Sequence, residues 1–159
     1  MATKKAKKPA KKPAKKPAKK PTKPRLGARR QPETLRLRKL TPGFTATDLP
    51  RSMAFYRDVL GFVIGDEWRE NGALTGCEIH AGAVTFMLTQ DDFAKGRDRA
   101  KGVGARIWCS TAQDLDRLAA DIKARGGALD QEPQDMPWGQ RVFMIADPDG
   151  FKFTFVQER

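Results

Sequence analysis

The sequence predicts an α+β domain made of two tandem βαβββ modules, and three observations predict it. Asp48-Leu49-Pro50-Arg51 opens a segment that runs through Met53, Phe55, Tyr56 and Leu60 to Gly61. Asp114-Leu115-Asp116-Arg117 opens a second through Leu118, Ile122 and Arg125 to Gly127, and both ends of the pair are 66 residues apart. Val84–Gln90 lies over Phe151–Gln157 at an offset of 67, and strand-like runs fill each interval in the same order. An internal repeat of this length implies a pseudo-symmetric fold and names the positions that correspond between its halves. The modules span about residues 36–92 and 103–159.

Each element has a local cause. Leu35 to Thr47 reads as an entering strand, interrupted near Pro42-Gly43. Leu49 to Leu60 reads as a helix: Asp48 is an N-cap, Pro50 fits the first turn, and Leu49, Met53, Tyr56 and Leu60 fall on one face. Gly61 ends it. Phe62–Trp68, Leu74–His80 and Val84–Gln90 read as strands, separated by turns at Asn71-Gly72 and Ala81-Gly82. Asp91–Gly104 is a charged connection. The order then restarts with a strand at Ala105–Thr111 and an amphipathic helix at Asp114–Arg125, closed by Gly126-Gly127. Strands follow at Ala128–Glu132, Gln140–Ile145 and Phe151–Gln157, the last two joined by the Asp147-Pro148-Asp149-Gly150 turn.

Residues 1–32 read as a separate tail. They hold 14 of the 31 Lys and Arg, no acid and no aromatic, in a Lys-Lys-Pro-Ala rhythm from Lys7 to Pro21. Recurrent proline removes helical hydrogen bonds and like charges repel, so the tail is expected to be extended and disordered. The formal charge of the chain is +12, yet residues 33–159 carry 17 bases against 19 acids, a net of −2. The basic character therefore belongs to the tail and says nothing about a ligand of the domain. Lys4, Lys5, Lys7, Lys8, Lys11, Lys12, Lys15, Lys16, Lys19 and Lys20 are candidates for neutralising nucleic-acid phosphates. With no aromatic to stack on bases, such binding would lack sequence preference. Its composition resembles the tails of linker histones and of some bacterial nucleoid proteins; a solubilising extension is the plainer reading.

No run is long and apolar enough for a membrane span or a secretory signal, so a soluble, cytoplasmic protein with no membrane partner is expected. Cys77 and Cys109 are isolated and without metal-ligand spacing, which suits reduced small hydrophobes. Gly102-x-Gly104 precedes a strand rather than a helix and is not a phosphate loop. His80 reads either as a general base beside Glu78 or, more plainly, as a strand-end residue before the Ala81-Gly82 turn.

The stretch from Asp48 to Phe62 resembles the opening helix of the vicinal oxygen chelate superfamily, the glyoxalase, bleomycin resistance protein and extradiol dioxygenase fold. Asp147-Pro-Asp-Gly-Phe-Lys-Phe153 resembles its closing hairpin, and Pro137-Trp138-Gly139 is similar to the bleomycin resistance branch. The resemblance covers residues 36–159 and implies a cup of sheet. In its enzymes, His, Glu or Gln on the first and last strand of each module hold a divalent metal. The corresponding positions, counted from Asp48, Asp114 and Asp147, hold Thr41, Met87, Ile107 and Thr154. These offer no adequate donor set, so no metal, no cofactor and no catalytic residue is expected.

Strand alternation places Thr45, Thr85, Thr89, Cys109, Lys152 and Val156 on the same cup face as those four. It assigns Phe44, Val84, Phe86, Leu88, Trp108, Phe151, Phe153 and Phe155 to the core. Trp68 and Trp138 are rim candidates, with Asp66, Glu67 and Glu70 close by in sequence. The resemblance implies a homodimer whose interface grooves hold a cationic or aromatic organic ligand, as in antibiotic resistance by sequestration. The expected ligand-binding set is Trp138, Trp68, Thr41, Thr45, Thr85, Met87, Ile107, Cys109, Thr154 and Glu67. A glyoxalase- or dioxygenase-like metalloenzyme with a displaced site, and a nucleic-acid-associated protein acting through the tail, are the alternatives.

Overall fold

Two sheets with one strand order organise the chain. A computed structural model describes residues 37–158; the basic tail read at residues 1–32 lies outside the described residues. The first sheet runs β1 (Gly43–Ala46), β4 (Val84–Gln90), β3 (Ala73–Ala81), β2 (Val63–Glu70). The second runs β5 (Arg106–Thr111), β8 (Lys152–Gln157), β7 (Arg141–Ala146), β6 (Gln131–Asp135). In each, the first strand pairs in parallel with the last and the other pairings are antiparallel. This is the α+β architecture of two tandem βαβββ modules that the repeat predicts.

The helices follow from their caps and apolar stripes. In α1 (Leu49–Ala54) the Asp48 carboxylate accepts from the Arg51 amide at 3.0 Å, and in α2 (Leu115–Ala124) Asp114 does the same for Arg117 at 2.9 Å. Each satisfies an orphan donor of the first turn. The first helix is shorter than its periodicity suggests. Phe55–Val59 widens into a π-helical turn, closed by the Leu60 amide on the Phe55 carbonyl at 3.1 Å, and within it Tyr56 is completely buried.

Both sheets press one face onto a single core. Leu49, Met53 and Tyr56 of the first module meet Phe44, Phe86 and Leu88, and the cluster continues through Phe153, Phe143 and Ile145 to Leu115, Ala119 and Ile122. Ring pairs cross the module boundary, with Phe44 4.7 Å from Phe151 and Tyr56 5.9 Å from Phe153, in the tilted and edge-on arrangements that aromatic quadrupoles prefer.

Polar bonds reinforce the seam and give the Asp147-Pro148-Asp149-Gly150 turn a structural role. The Tyr56 hydroxyl donates to Asp147 Oδ2 at 2.7 Å, while the Asp149 and Phe151 amides donate to Asp147 Oδ1. Asp149 accepts from the Thr47 amide at 2.8 Å and from the Ser52 hydroxyl at 2.9 Å. Lys101, whose side chain is buried, pairs with Asp91 at 2.9 Å and Asp149 at 3.4 Å and bonds the Thr47 hydroxyl. Arg125 Nε donates to the Val59 carbonyl at 2.8 Å at the far end of the helices. The Asp147–Gly150 turn of one module thus buckles onto the first helix of the other.

Strand ends depart most from the sequence reading in three places. The entering strand reduces to Gly43–Ala46, because Pro42 has no amide for a ladder and Gly43 is the first residue to pair. The sixth strand lies at Gln131–Asp135 rather than at Ala128–Glu132, because Gly127 is drawn into the helix terminus by its bond to the Ile122 carbonyl. The second and third strands lengthen into a hairpin whose Asn71-Gly72 turn has both φ angles positive, 50° and 81°, the geometry that matches strand twist.

Candidate functional site

The faces of the two sheets turned away from the shared core carry the candidate site. Paired residues on neighbouring strands share a face, so the register lists each open face. On the first sheet, Gly43, Met87 and Glu78 form one row, Thr45, Thr89, Gly76 and Trp68 a second, and Thr85, His80 and Val63 a third. The Trp68 ring lies over Gly76, where a Cβ would come within 2.5 Å of its Cε3. Thr45, Thr85 and Met87 therefore sit on the open face as the alternation implied. Thr41 lies just before β1 and is half-buried.

The structure also gathers a polar group around His80, bringing Thr85 to the Glu78–His80 pair that the sequence had set side by side. His80 Nε2 is 3.5 Å from Glu78 Oε2, and its Nδ1 is 3.1 Å from Thr85 Oγ1. Gly65 makes room for the ring, since any Cβ there would collide with His80 Nε2. Spacing of two residues along one strand was the available signal, because it puts Glu78 and His80 on the same side.

The second sheet reverses the assignment of its first strand. Ile107 pairs with Phe153 and Cys109 with Phe155, and all four pack against the core. Trp108 pairs with Thr154 on the opposite side and is 54% exposed. Ile107 and Cys109, taken as cup residues, thus face inward, and Trp108, taken as core, faces out. Burial raises the Cys109 thiol to about 11, as it does that of Cys77, so neither is a ready nucleophile. The reason is one extra residue between strand and helix. Gly43 pairs with Met87 and Trp108 with Thr154, so the first strands correspond at an offset of 65, the helices at 66 and the last strands at 67. A slip of one residue exchanges the faces of a strand. At an offset of 65 the counterpart of Thr41 is Arg106.

The open face of the second sheet has two complete rows, one of them Gln134, Val142, Val156 and Ser110. In the other, Gln131, Met144, Thr154 and Trp108 are register partners across all four strands. Thr154 Oγ1 and Gln131 Nε2 are buried and have no hydrogen-bond partner among the described residues. Arg106 and Lys152 are paired in the neighbouring row. They also line a cavity of about 480 Å³ with Gly150 and the 101–105 loop.

The remaining sequence candidates lie apart from these rows. Trp138 is 56% exposed in the hairpin between β6 and β7, its Nε1 donating to Gln140 Oε1 at 3.0 Å. Glu67 is exposed and paired with Arg69 at 2.9 Å. Val84 is exposed at the start of β4 rather than under the helices.

A divalent metal does not fit the corresponding positions. They hold Thr41, Met87, Arg106 and Thr154: two hydroxyls, a soft thioether and a fixed positive charge, with Ile107 turned to the core. Among the described residues no three His, Cys, Asp or Glu side chains converge.

The polar buckle at the seam is electrostatically strong. Asp91 is held near about 2 by the Lys101 hydrogen bond, helped by the Phe93 amide and Arg99. Burial pushes Asp149 up, but its bonds to Thr47 and Ser52 and the charge of Lys101 outweigh this and leave it lowered. For Asp147 burial wins over the bond from Tyr56 and the carboxyl is raised. These acids serve the fold.

Comparison with known proteins agrees with this architecture. The family model described as Glyoxalase/Bleomycin resistance protein/Dioxygenase superfamily matches residues 40–155. A lactoylglutathione lyase of Arabidopsis thaliana is 27% identical over 116 residues, 69% of this chain and 40% of the relative. The chain thus spans well under half the length of that protein. A lactoylglutathione lyase of Haemophilus influenzae is 28% identical over 119 residues, 70% of this chain and 86% of the relative. Among solved structures, TioX from Micromonospora sp. is 21% identical with a TM-score of 0.62, covering 76% of this chain and 98% of that one; this likeness is one of fold. Among the described residues no helix is long and apolar enough to cross a membrane.

Proposed function

The chain belongs to the glyoxalase/bleomycin resistance protein/dioxygenase superfamily, and from that premise we propose that it is a metal-free small-molecule-binding protein that acts by sequestering its ligand. The observation that carries this reading is the occupancy of the four metal positions by Thr41, Met87, Arg106 and Thr154. With no donor set to polarise a bound oxygen, the superfamily's metal chemistry has no seat. What the open faces offer is recognition: the exposed Trp68 and Trp108 rings, the Met87 and Met144 thioethers, and threonine hydroxyls. Flat apolar contacts with a few polar groups suit an organic ligand better than acid–base work. Binding retains the ligand and releases it unchanged. No residue is asked to form or break a bond.

We place the working form as a cytoplasmic homodimer, with the exposed Trp138 on its hairpin available to a second copy. The basic tail adds a non-specific contact to nucleic acid. Calorimetry of the full chain after chelation tests the core of this reading. Saturable uptake of an aromatic ligand without added metal is expected, and uptake that depends on a divalent cation would refute it.

A second reading is a metalloenzyme of the lactoylglutathione lyase kind with a displaced site. It draws on the names of the curated relatives and on the Glu78–His80 pair, 3.5 Å apart on an open face. It requires metal in the purified protein, and less than about a tenth of an equivalent would remove it.

A further inference from the structure

Two buried polar atoms on one row of the second sheet have no partner among the described residues. Thr154 is 1% exposed, and its Oγ1 and Gln131 Nε2 flank Met144 on the row that ends at Trp108. Buried donors and hydroxyls are nearly always satisfied in folded proteins, so two orphans on one row mark a place completed by something else. The exposed indole at the end of the row supplies a flat apolar contact.

The next row sets the charge of what completes it. Arg106 and Lys152 are direct partners across parallel strands, on the same face as Thr154 and Trp108. The Arg106 guanidinium has the Met144 sulfur, at 3.8 Å, as its sole hydrogen-bond partner among the described residues, and the Lys152 ammonium has none there. Neither is paired with a carboxylate among those residues, although the domain is slightly acidic. Two neighbouring cations without acids repel a cationic ligand and attract an anionic one, and the guanidinium can grip a carboxylate with two parallel bonds. Gly102 lets the adjoining loop close in: its φ is +68°, and a Cβ there would stand 2.6 Å from the Gly150 carbonyl oxygen. The loop, the two bases and Gly150 line an open depression of about 480 Å³ beside this row, within the usual range for small ligands.

We propose that this face binds a planar organic anion of the aromatic carboxylate class. Its ring lies on the Trp108 end of the row, it takes hydrogen bonds from Gln131 and Thr154, and its charge sits at Arg106 and Lys152. The inference rests on the small-molecule-binding reading and deepens it, since it replaces the cationic ligand implied by the family resemblance with an anionic one. It also gives Arg106 a role where relatives place a metal ligand: a fixed positive charge meets the ligand's oxygens directly.

The test is calorimetric titration of the full chain, after chelation and at raised salt so that the tail is screened, with 2-naphthoate and with 2-naphthylmethylammonium. Naphthoate should bind saturably and the ammonium more weakly. The Arg106→Gln/Lys152→Gln double variant, with an unchanged thermal midpoint, should lose about 10- to 100-fold in naphthoate affinity and favour the ammonium. Thr154→Val should weaken naphthoate while raising the thermal midpoint, because it removes an unsatisfied buried hydroxyl; a merely structural threonine would lower the midpoint. Equal binding of both probes, or no effect of the double variant, would overturn the anion site and leave the sequestration reading standing. If neither probe binds the wild-type chain, the anion site falls, while the sequestration reading stands or falls on the metal-free calorimetry proposed above.

Discussion

Tyr56→Phe tests whether the family's opening and closing motifs act as a buckle between the modules. Tyr56 is completely buried, and its hydroxyl donates to Asp147 Oδ2 at 2.7 Å. Burial raises the Asp147 carboxyl, and the bond from Tyr56 is the largest influence that opposes the rise. The substitution keeps the ring and its packing against Phe86 and Phe153, so what is lost is one hydrogen bond to a buried acid. Such bonds contribute about 1.5–3 kcal/mol when the acceptor is charged. For a domain of this size that corresponds to a fall in Tm of roughly 6–12 °C, at about 4 °C per kcal/mol. The assay is urea denaturation and thermal melting of the full chain, with Asp147→Asn and the double variant completing a cycle. A loss below about 0.5 kcal/mol, or strictly additive effects, would refute the claim that this contact ties the modules together.

Four further outcomes follow from the same geometry. Asp91, held near about 2, and Asp149, also lowered, contribute stability that is complete above the ordinary carboxylate range and lost as pH falls through their folded values. Urea midpoints should therefore drop between about pH 4 and pH 2, and Lys101→Met should flatten that slope. Asp147 runs the other way, since its raised carboxyl favours the fold most when protonated. Ile107→Ala should cost about 1–3 kcal/mol, because Ile107 is half-buried against the core, while Trp108→Ala should stay within about 0.5 kcal/mol; denaturation midpoints of the two variants check the face assignment. Gly127→Ala would set a Cβ 2.5 Å from Ile122 Cγ2 and 2.8 Å from Val59 Cγ1, and should cost about 1–3 kcal/mol by the same assay. Removing residues 1–32 should abolish a salt-sensitive gel shift of DNA of arbitrary sequence, and a shift that persists would remove the tail from any nucleic-acid contact.

Much of the fold was legible because the repeat constrains it twice. Asp48 and Asp114 cap corresponding helices, and β4 coincides with its sequence-based span. The site was less legible, and β5 shows why. In Arg106-Ile107-Trp108-Cys109-Ser110, alternation says which residues share a face but not which face is buried, and a large aromatic looks like core in either register. The helix offset of 66, applied to the first strands, then carried the one-residue difference between the modules into the wrong side of the strand. Arg106 escaped notice for the same reason, since it becomes the counterpart of Thr41 only when the strands are aligned by their own pairing. The Gln131–Met144–Thr154–Trp108 row depends on the register of four strands and a bulge in β6–β7, which local sequence does not encode. Glu78 and His80 were within reach, since residues two apart on a strand share a side, but their approach over Gly65 required the hairpin register.

The central claim is that the four corresponding positions bind no metal and that recognition proceeds without one. The most direct measurement is metal content and zinc or nickel titration of the purified full chain, followed by an assay for lactoylglutathione lyase activity with either metal added. The account predicts less than about a tenth of an equivalent of bound metal, no saturable uptake at micromolar metal, and no turnover. Stoichiometric metal accompanied by metal-dependent turnover would contradict it.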